Sequence, residues 1–226
     1  MDDTQKLRTV LLAAPCYDGK VGVWHAVALA ETCKIGLANG INVMPLYMSF
    51  DALVQRARND IFHEAYVGEV DDLVFIDADQ DWNPHDFMKL LLHDAAVVGA
   101  PVPKKSDVET YNVKLLGDYV VGDNGLAKVD GIGTGFLRVR KDAIKAIYEA
   151  APEYKEPHKS APFRMVFDVC IRNGELWSED VVFCQHWIDL GGSVFIDPTI
   201  NCGHSGEKRW VGGFADWIVR MKQNGN

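Results

Sequence analysis

Short apolar runs alternate with longer mixed segments through the first hundred residues. Residues 9–15, 41–48, 73–76 and 95–100 are brief and rich in Val, Ile, Leu and Ala, the signature of buried strands. Between them, 24–38 and a segment opening near Asp51 are helical in composition, and a third helix starts at Pro84 and runs to about 92. Proline is tolerated there because a first-turn N–H has no partner within the helix. Asn39-Gly40 is a helix stop. Ser49 or Asp51 is the expected cap of the second helix, and Asp81 that of the third. The alternation β-α-β-α-β-α-β is the sequence form of a parallel, doubly wound α/β sheet.

Beyond Pro101-Val102-Pro103-Lys104-Lys105 the pattern changes. Runs at 111–116, 119–121 and 126–129 are short and separated by Gly-Asp and Asp-Asn-Gly turns, which predicts antiparallel strands. Gly131 to Gly135 is a flexible segment ahead of a strand at 136–140 and a helix at 141–150. Residues 151–178 are polar, hold three prolines and are expected to form a mobile lid. A helix over 180–190, a strand over 193–196 and a short helix over 217–222 complete the chain. No linker interrupts it. The expectation is one domain over 1–226, with a nucleotide-binding half to about 105 and a smaller antiparallel half after it.

The chemistry concentrates at three places. Residues 73–76 run straight into Asp77, Asp79 and Asp81. A buried strand that ends in Asp-x-Asp puts carboxylates at the carboxyl edge of the sheet, where open α/β folds bind ligands. Carboxylates so close repel unless a cation lies between them. Oxygen ligands of this kind suit Mg²⁺ or Mn²⁺, with phosphate as a further ligand. Ser178-Glu179-Asp180 opens a helix. Acidic residues there serve the helix dipole or aim a carboxylate at a reaction centre. His204 lies beside a Gly-rich turn after the last strand, followed by Lys208 and Trp210. Arg56 and Arg58, with Asn59 beside them, and Lys104 and Lys105 add cations near the same sheet edge. Tyr17, just past strand one, is placed to stack on a ring.

Bulk properties narrow the class. The chain has 226 residues, 48% hydrophobic and 24% charged, ordinary for a globular domain. With 23 basic and 32 acidic residues the net charge is −9, so no global basic field draws the protein to nucleic acid or anionic membranes. Five scattered cysteines without a Cys-x-x-Cys pair argue against a disulfide framework or zinc site and fit a reducing, cytoplasmic setting. Met1-Asp2-Asp3-Thr4 lacks the start of a signal peptide, and no apolar run approaches a membrane span.

Taken in order, Pro15-Cys16-Tyr17, Arg56-Ala57-Arg58-Asn59, Phe75-Ile76-Asp77-Ala78-Asp79, Gly99 to Lys105, Gly133-Thr134-Gly135-Phe136, Ser178-Glu179-Asp180 and His204 cover most of the chain. In this the sequence resembles metal-dependent, nucleotide-sugar glycosyltransferases of the GT-A fold. The resemblance implies a Rossmann-like, mainly parallel nucleotide-binding half and an antiparallel acceptor half. It implies Asp77, Asp79 and His204 as ligands of Mn²⁺ or Mg²⁺. Pro15, Tyr17, Arg58, Asn59, Asp77, Lys104, Gly135 and Lys208 would bind the nucleoside-diphosphate sugar, a UDP-sugar above all. Asp180 or Glu179 would be catalytic. The stretch from His204 to Trp210 looks like the ending of retaining, glycogenin-type members, with Arg209 in place of their proline. Ser178-Glu179-Asp180 also occurs in inverting members; the expectation leans to retention, with inversion as the alternative.

The expected reaction moves a sugar to a hydroxyl acceptor. Short members without a membrane helix occur in bacteria and phages, and some phage members glycosylate hydroxymethylated pyrimidines in DNA. DNA is therefore one acceptor, edged by Lys104, Lys105, Lys155, Lys159, Arg164, Lys208 and Arg209; a glycan, lipid-linked or small molecule is the other. A sugar-phosphate nucleotidyltransferase is an alternative, with Cys16 to Gly22 as only a faint Gly-rich loop. A nucleotide-sugar-binding module without catalysis is the third.

Overall fold

With only apolar side chains from Val10 to Ala14, β1 (Arg8–Cys16) runs through the interior, and Val10, Leu12, Ala13 and Ala14 are fully enclosed. The computed structural model describes residues 7–157 and 162–224. The N-terminal tetrapeptide and Lys159, both named above, lie outside the described residues. After β1 come α1 (Val23–Ala38), β2 (Ile41–Ser49), α2 (Val54–Val67), β3 (Asp72–Ile76), β4 (Gln80–Trp82), α3 (Pro84–Leu92) and β5 (Val97–Gly99). The second part holds β6 (Val113–Leu115), β7 (Ala127–Ile132), β8 (Phe136–Arg140), α4 (Lys141–Ala150), β9 (Glu153–Tyr154), β10 (Phe163–Arg164), β11 (Cys170–Arg172) and β12 (Glu175–Trp177). It closes with α5 (Glu179–Asp189), β13 (Val194–Ile196), β14 (Cys202–Ser205), β15 (Arg209–Val211) and α6 (Phe214–Gln223).

One mixed sheet in the order β2-β1-β3-β8-β5-β13-β7-β6 forms the centre. β1 is parallel to β2 and β3. β8 then enters antiparallel between β3 and β5, with Val139 opposite both Leu73 and Val97. The expected parallel sheet is thus a mixed one, because Phe-Leu-Arg-Val-Arg is apolar enough to be enclosed on both faces. Its Arg138, 1% exposed, is tolerated because Asp72 takes its Nε at 2.6 Å and Arg8 closes the other side of that carboxylate at 2.6 Å. Alternate residues of β1 and β3 feed two cores. Leu11, Ala13 and Phe75 meet α2, α4 and α5, while Val10, Leu12 and Val74 meet α1 and α3. Among the described residues no helix is long and apolar enough to cross a membrane.

Local expectations fail at four points. Leu53, not Ser49 or Asp51, occupies the cap of α2, since Asp51 turns back to accept from the Leu53 N–H and to pair with Arg56. Asn83 caps α3 through its side chain, and Asp81 instead binds Arg209 with both oxygens. Residues 119–121 form only an isolated bridge at Val121. The segment expected as a lid is anchored: it carries two short hairpins, and Val166 and Phe167 are fully buried.

Candidate active site at the carboxyl ends of β1 and β3

The acidic turn is rigid for a local reason. The Asp77 N–H donates to the Gly135 carbonyl at 3.1 Å, and Gln80 N–H closes the turn on the Asp77 carbonyl at 3.0 Å. β4 then pairs with β14, which sets Gln80 opposite His204 and brings the C-terminal histidine to the Asp-x-Asp. His204 Nε2 lies 3.5 Å from Asp79 Oδ2, while its Nδ1 lies 2.8 Å from the Pro103 carbonyl. A carbonyl only accepts, so Nδ1 carries the hydrogen and Nε2 faces Asp79. Lys105 Nζ sits on the same Asp79 oxygen at 2.5 Å.

These contacts set the charge states. Burial works against an ionised Asp79, but the hydrogen bonds from His204 and Lys105 outweigh it and hold its carboxyl at about 2. Burial likewise pushes His204 down, and the bonds to Asp79 and Pro103 overcome it to leave the imidazole raised. Asp77 turns the other way, to Arg58 Nη2 at 3.1 Å, and Arg58 Nη1 binds Glu179. Asp180 is held by Asn112 Nδ2 at 2.8 Å, by Ser178 and by the Val181 N–H. Ser178 therefore occupies the α5 cap position without capping through its side chain.

Two adjoining pockets meet at this wall. One of about 600 Å³ is lined by Pro15, Tyr17, Lys20, Asp51 and Ser205 among others. The second, of about 480 Å³, is lined by Gln80, Lys104, Asn112, Gly135, Glu179 and Asp180 among others. Arg58, Asp77 and His204 border both. Pro15, Tyr17, Arg58, Asp77, Asp79, Lys104, Gly135, Glu179, Asp180 and His204 thus converge on one place. Two expected ligand residues do not. Asn59 is 1% exposed and faces away, accepting from the Val166 and Phe167 N–H groups and donating to the Phe167 carbonyl, each at 2.8 Å. Next to Arg58 on a helix, it points about 100° away. Lys208 is tied to Asp107 outside both pockets, and the lysine that reaches the Asp-x-Asp, at Asp79, is Lys105.

Gln80 and Asn112 went unnoticed in the sequence because neither sits in a motif. Their trace is the glycines that face them. A Cβ on Gly135 would lie 2.1 Å from Gln80 Nε2, and one on Gly133 would lie 2.5 Å from Asn112 Nδ2.

No protein-family model and no curated protein sequence matches the chain. Among solved structures, the crystal structure of A197 from STIV superposes with a TM-score of 0.55 at 18% identity, over 91% of this chain and 89% of that one. The two chains share a fold. A glycosyltransferase involved in the glycosylation of the major capsid of PBCV-1 aligns with a TM-score of 0.35 at 16% identity, over 61% of this chain and 63% of its own. That alignment is too loose to carry an argument.

Of the three expected metal ligands, only Asp79 and His204 stand together. The His204 Nε2 faces the Asp79 carboxylate at 3.5 Å, and the Lys105 ammonium stands on the same oxygen as a cation. Among the described residues no three His, Cys, Asp or Glu side chains stand together as a metal-ligating group, and Asp77 is turned to Arg58.

Proposed function

We propose that this chain is a glycosyltransferase of GT-A type, moving a sugar from a nucleoside-diphosphate sugar to a hydroxyl acceptor. The observation that carries the reading is the wall common to the two pockets, where the acidic turn, His204 and the Arg58–Glu179 pair meet. The first pocket takes the nucleoside diphosphate, with Tyr17 at its mouth against the base. The second takes the sugar and the acceptor hydroxyl.

Asp79 and His204 would hold Mn²⁺ or Mg²⁺, with diphosphate oxygens as further ligands. When bound, the ion stabilises the charge that grows on the leaving diphosphate. The side chains do the rest. Lys105 is close enough to Asp79 to shift toward that diphosphate and neutralise it. Arg58 fixes Asp77 and Glu179 in one rigid arrangement. Asp180, oriented by Asn112, borders the second pocket and accepts the hydrogen bond of an incoming hydroxyl, the position of a general base in an inverting course. In a retaining course the acceptor proton leaves with the diphosphate, and Asp180 only orients. Comparing the anomeric configuration of product and donor by NMR separates the two.

The basic residues that would edge a DNA groove are largely neutralised: Lys105 by Asp79, Arg164 by Glu153, Lys208 by Asp107 and Arg209 by Asp81. This favours a glycan or small-molecule acceptor over DNA. Calorimetry with UDP and Mn²⁺ tests the reading. The expected result is metal-dependent binding that Asp79→Ala abolishes. A variant that binds UDP and Mn²⁺ as well as the parent overturns it. Release of pyrophosphate from a sugar phosphate and UTP would point to the nucleotidyltransferase instead.

A further inference from the structure

The polarity of α1 is inverted. Its buried residues are His25, Ala28, Thr32 and Gly36, two of them polar. Its nine exposed positions hold Val, Ala, Leu or Trp, save for Glu31 and Lys34. The buried polar pair is accounted for. His25 lies between the Gln80 carbonyl and the Tyr47 hydroxyl at 3.0 and 2.7 Å, and Thr32 accepts from Trp82 Nε1 at 2.9 Å. The exposed apolar side chains have no such account within the chain. Val23, Trp24, Val27 and Leu37 are each between 47% and 74% exposed. A helix that is apolar on every side is normally a covered one, and contiguous apolar surface on a globular protein marks an interaction site.

Helix geometry gathers these positions into a seam. At about 100° per residue, Val23, Val27, Ala30, Lys34 and Leu37 fall on one stripe along the length of α1, opposite its buried side. Steps of four, three, four and three residues are the spacing with which one helix packs along another. A single Lys within such a seam is a known device for setting register.

Charge and the neighbouring elements choose the partner. Beside α1 lies β2, the edge strand of the central sheet. Pro45 stands in the middle of β2 and has no N–H to offer an added strand. An interfacial lipid-binding helix carries Lys and Arg on a polar face, whereas the exposed side of α1 has one Lys and one Glu. That side is neutral in a chain of net charge −9, so two copies meet there without like-charge repulsion. The same two residues give the orientation. In a parallel pair the two Lys34 ammonium groups would meet head-on. In an antiparallel pair Glu31 of each helix lies opposite Lys34 of the other, and Val27 lies opposite the small Ala38. We infer that this chain forms a two-fold homodimer through α1, with the two helices antiparallel across the axis. The dimer goes beyond the proposed function and does not depend on it.

Sedimentation velocity and light scattering on the full chain, from about 1 to about 100 μM, read the association. Circular dichroism and thermal melts report the folding of each variant. The parent should reach twice the mass of one chain at the upper concentrations. Val27→Glu sets an unpaired carboxylate in the seam and should weaken association at least about a hundredfold. Glu31→Lys and Lys34→Glu each gather like charges and should weaken it at least about tenfold. The double variant Glu31→Lys, Lys34→Glu restores the opposite pairing and should regain the parent's affinity. If Val27→Glu does not fold, the three charge variants decide. The inference is overturned if the parent keeps the mass of one chain at about 100 μM, if Val27→Glu folds and associates as the parent does, or if the double variant associates no better than the single ones. Co-sedimentation with phosphatidylcholine vesicles that Val27→Glu abolishes, in a parent that stays a single chain, would assign the face to lipid and also overturn it.

Discussion

His204 donates its Nδ1 hydrogen to the carbonyl of Pro103, 101 residues earlier in the chain and 2.8 Å away. The bond fixes the ring so that Nε2 points at Asp79, much as outer partners orient ligating histidines in metal sites. His204→Ala should therefore weaken Mn²⁺ binding in the presence of UDP by at least about tenfold. His204→Gln should recover little of it. Calorimetric titration of Mn²⁺ measures both, and unchanged affinity in His204→Ala removes this histidine from the metal assignment.

Arg58 is a buried bridge between two carboxylates. Arg58→Met leaves Asp77 and Glu179 facing each other without a cation and should cost about 3–5 kcal/mol in urea unfolding. Arg58→Lys keeps the charge but not the fork that spans both partners, so it should fall between the parent and Met. A Lys variant as stable as the parent would show that the fork geometry is immaterial.

Gly135→Ala separates site from scaffold. The new methyl would meet the far end of the Gln80 side chain, which can swing away. Stability should drop by less than about 1 kcal/mol, while the displaced amide leaves the second pocket and donor turnover falls. A melt and a UDP-release assay on the same sample check the pair. A large loss of stability with normal turnover would contradict it.

Asn59→Ala removes the partners of two backbone N–H groups and one carbonyl. The cost should be about 2–4 kcal/mol, concentrated in the segment around Val166 and Phe167. Hydrogen exchange should rise at those amides before it rises in β1. Uniform change across the chain would mean that Asn59 does not hold that segment.

Acid stability should depend on Asp197, which is 1% exposed. Burial opposes its charge, yet Lys89 at 2.8 Å, His93 at 2.9 Å and Thr199 outweigh burial and set the carboxyl below the usual range. A carboxyl depressed in the folded state stabilises fully above its unfolded value, about 3.9, and loses that contribution as pH falls through the folded one. Asp197→Asn should thus lower the melting temperature at pH 7. The gap to the parent should narrow below about pH 4. A gap that stays constant down to pH 2.5 would rule this linkage out.

Much of the scaffold was legible in the sequence. Residues 136–140 and 141–150 form the expected strand and helix to the residue, and Pro84 opens α3. Periodicity marks such elements because each buries a face. Partners across the sheet were not legible. The pattern shows that 136–140 is a strand but not that it threads between β3 and β5. In the site, Asp77, Asp79 and His204 could be picked by residue type. Lys105 and Lys208 could not be told apart, since reach depends on how the loop that carries each lysine folds. Asn59 was misplaced because a one-residue step on a helix changes its direction. Gln80 was invisible because an amide carries no motif.

The place of β8 also bears on the order in which the protein can form. β5 has two neighbours in the sheet, β8 and β13, and both are made after it. A nascent chain that has reached residue 105 therefore holds β5 with no partner and β3 with one open side. Such edges invite pairing with other chains. Closure waits for contacts between distant residues, the slow kind. Cleavage between residues 105 and 136 before folding is complete should give aggregates rather than a folded nucleotide-binding fragment.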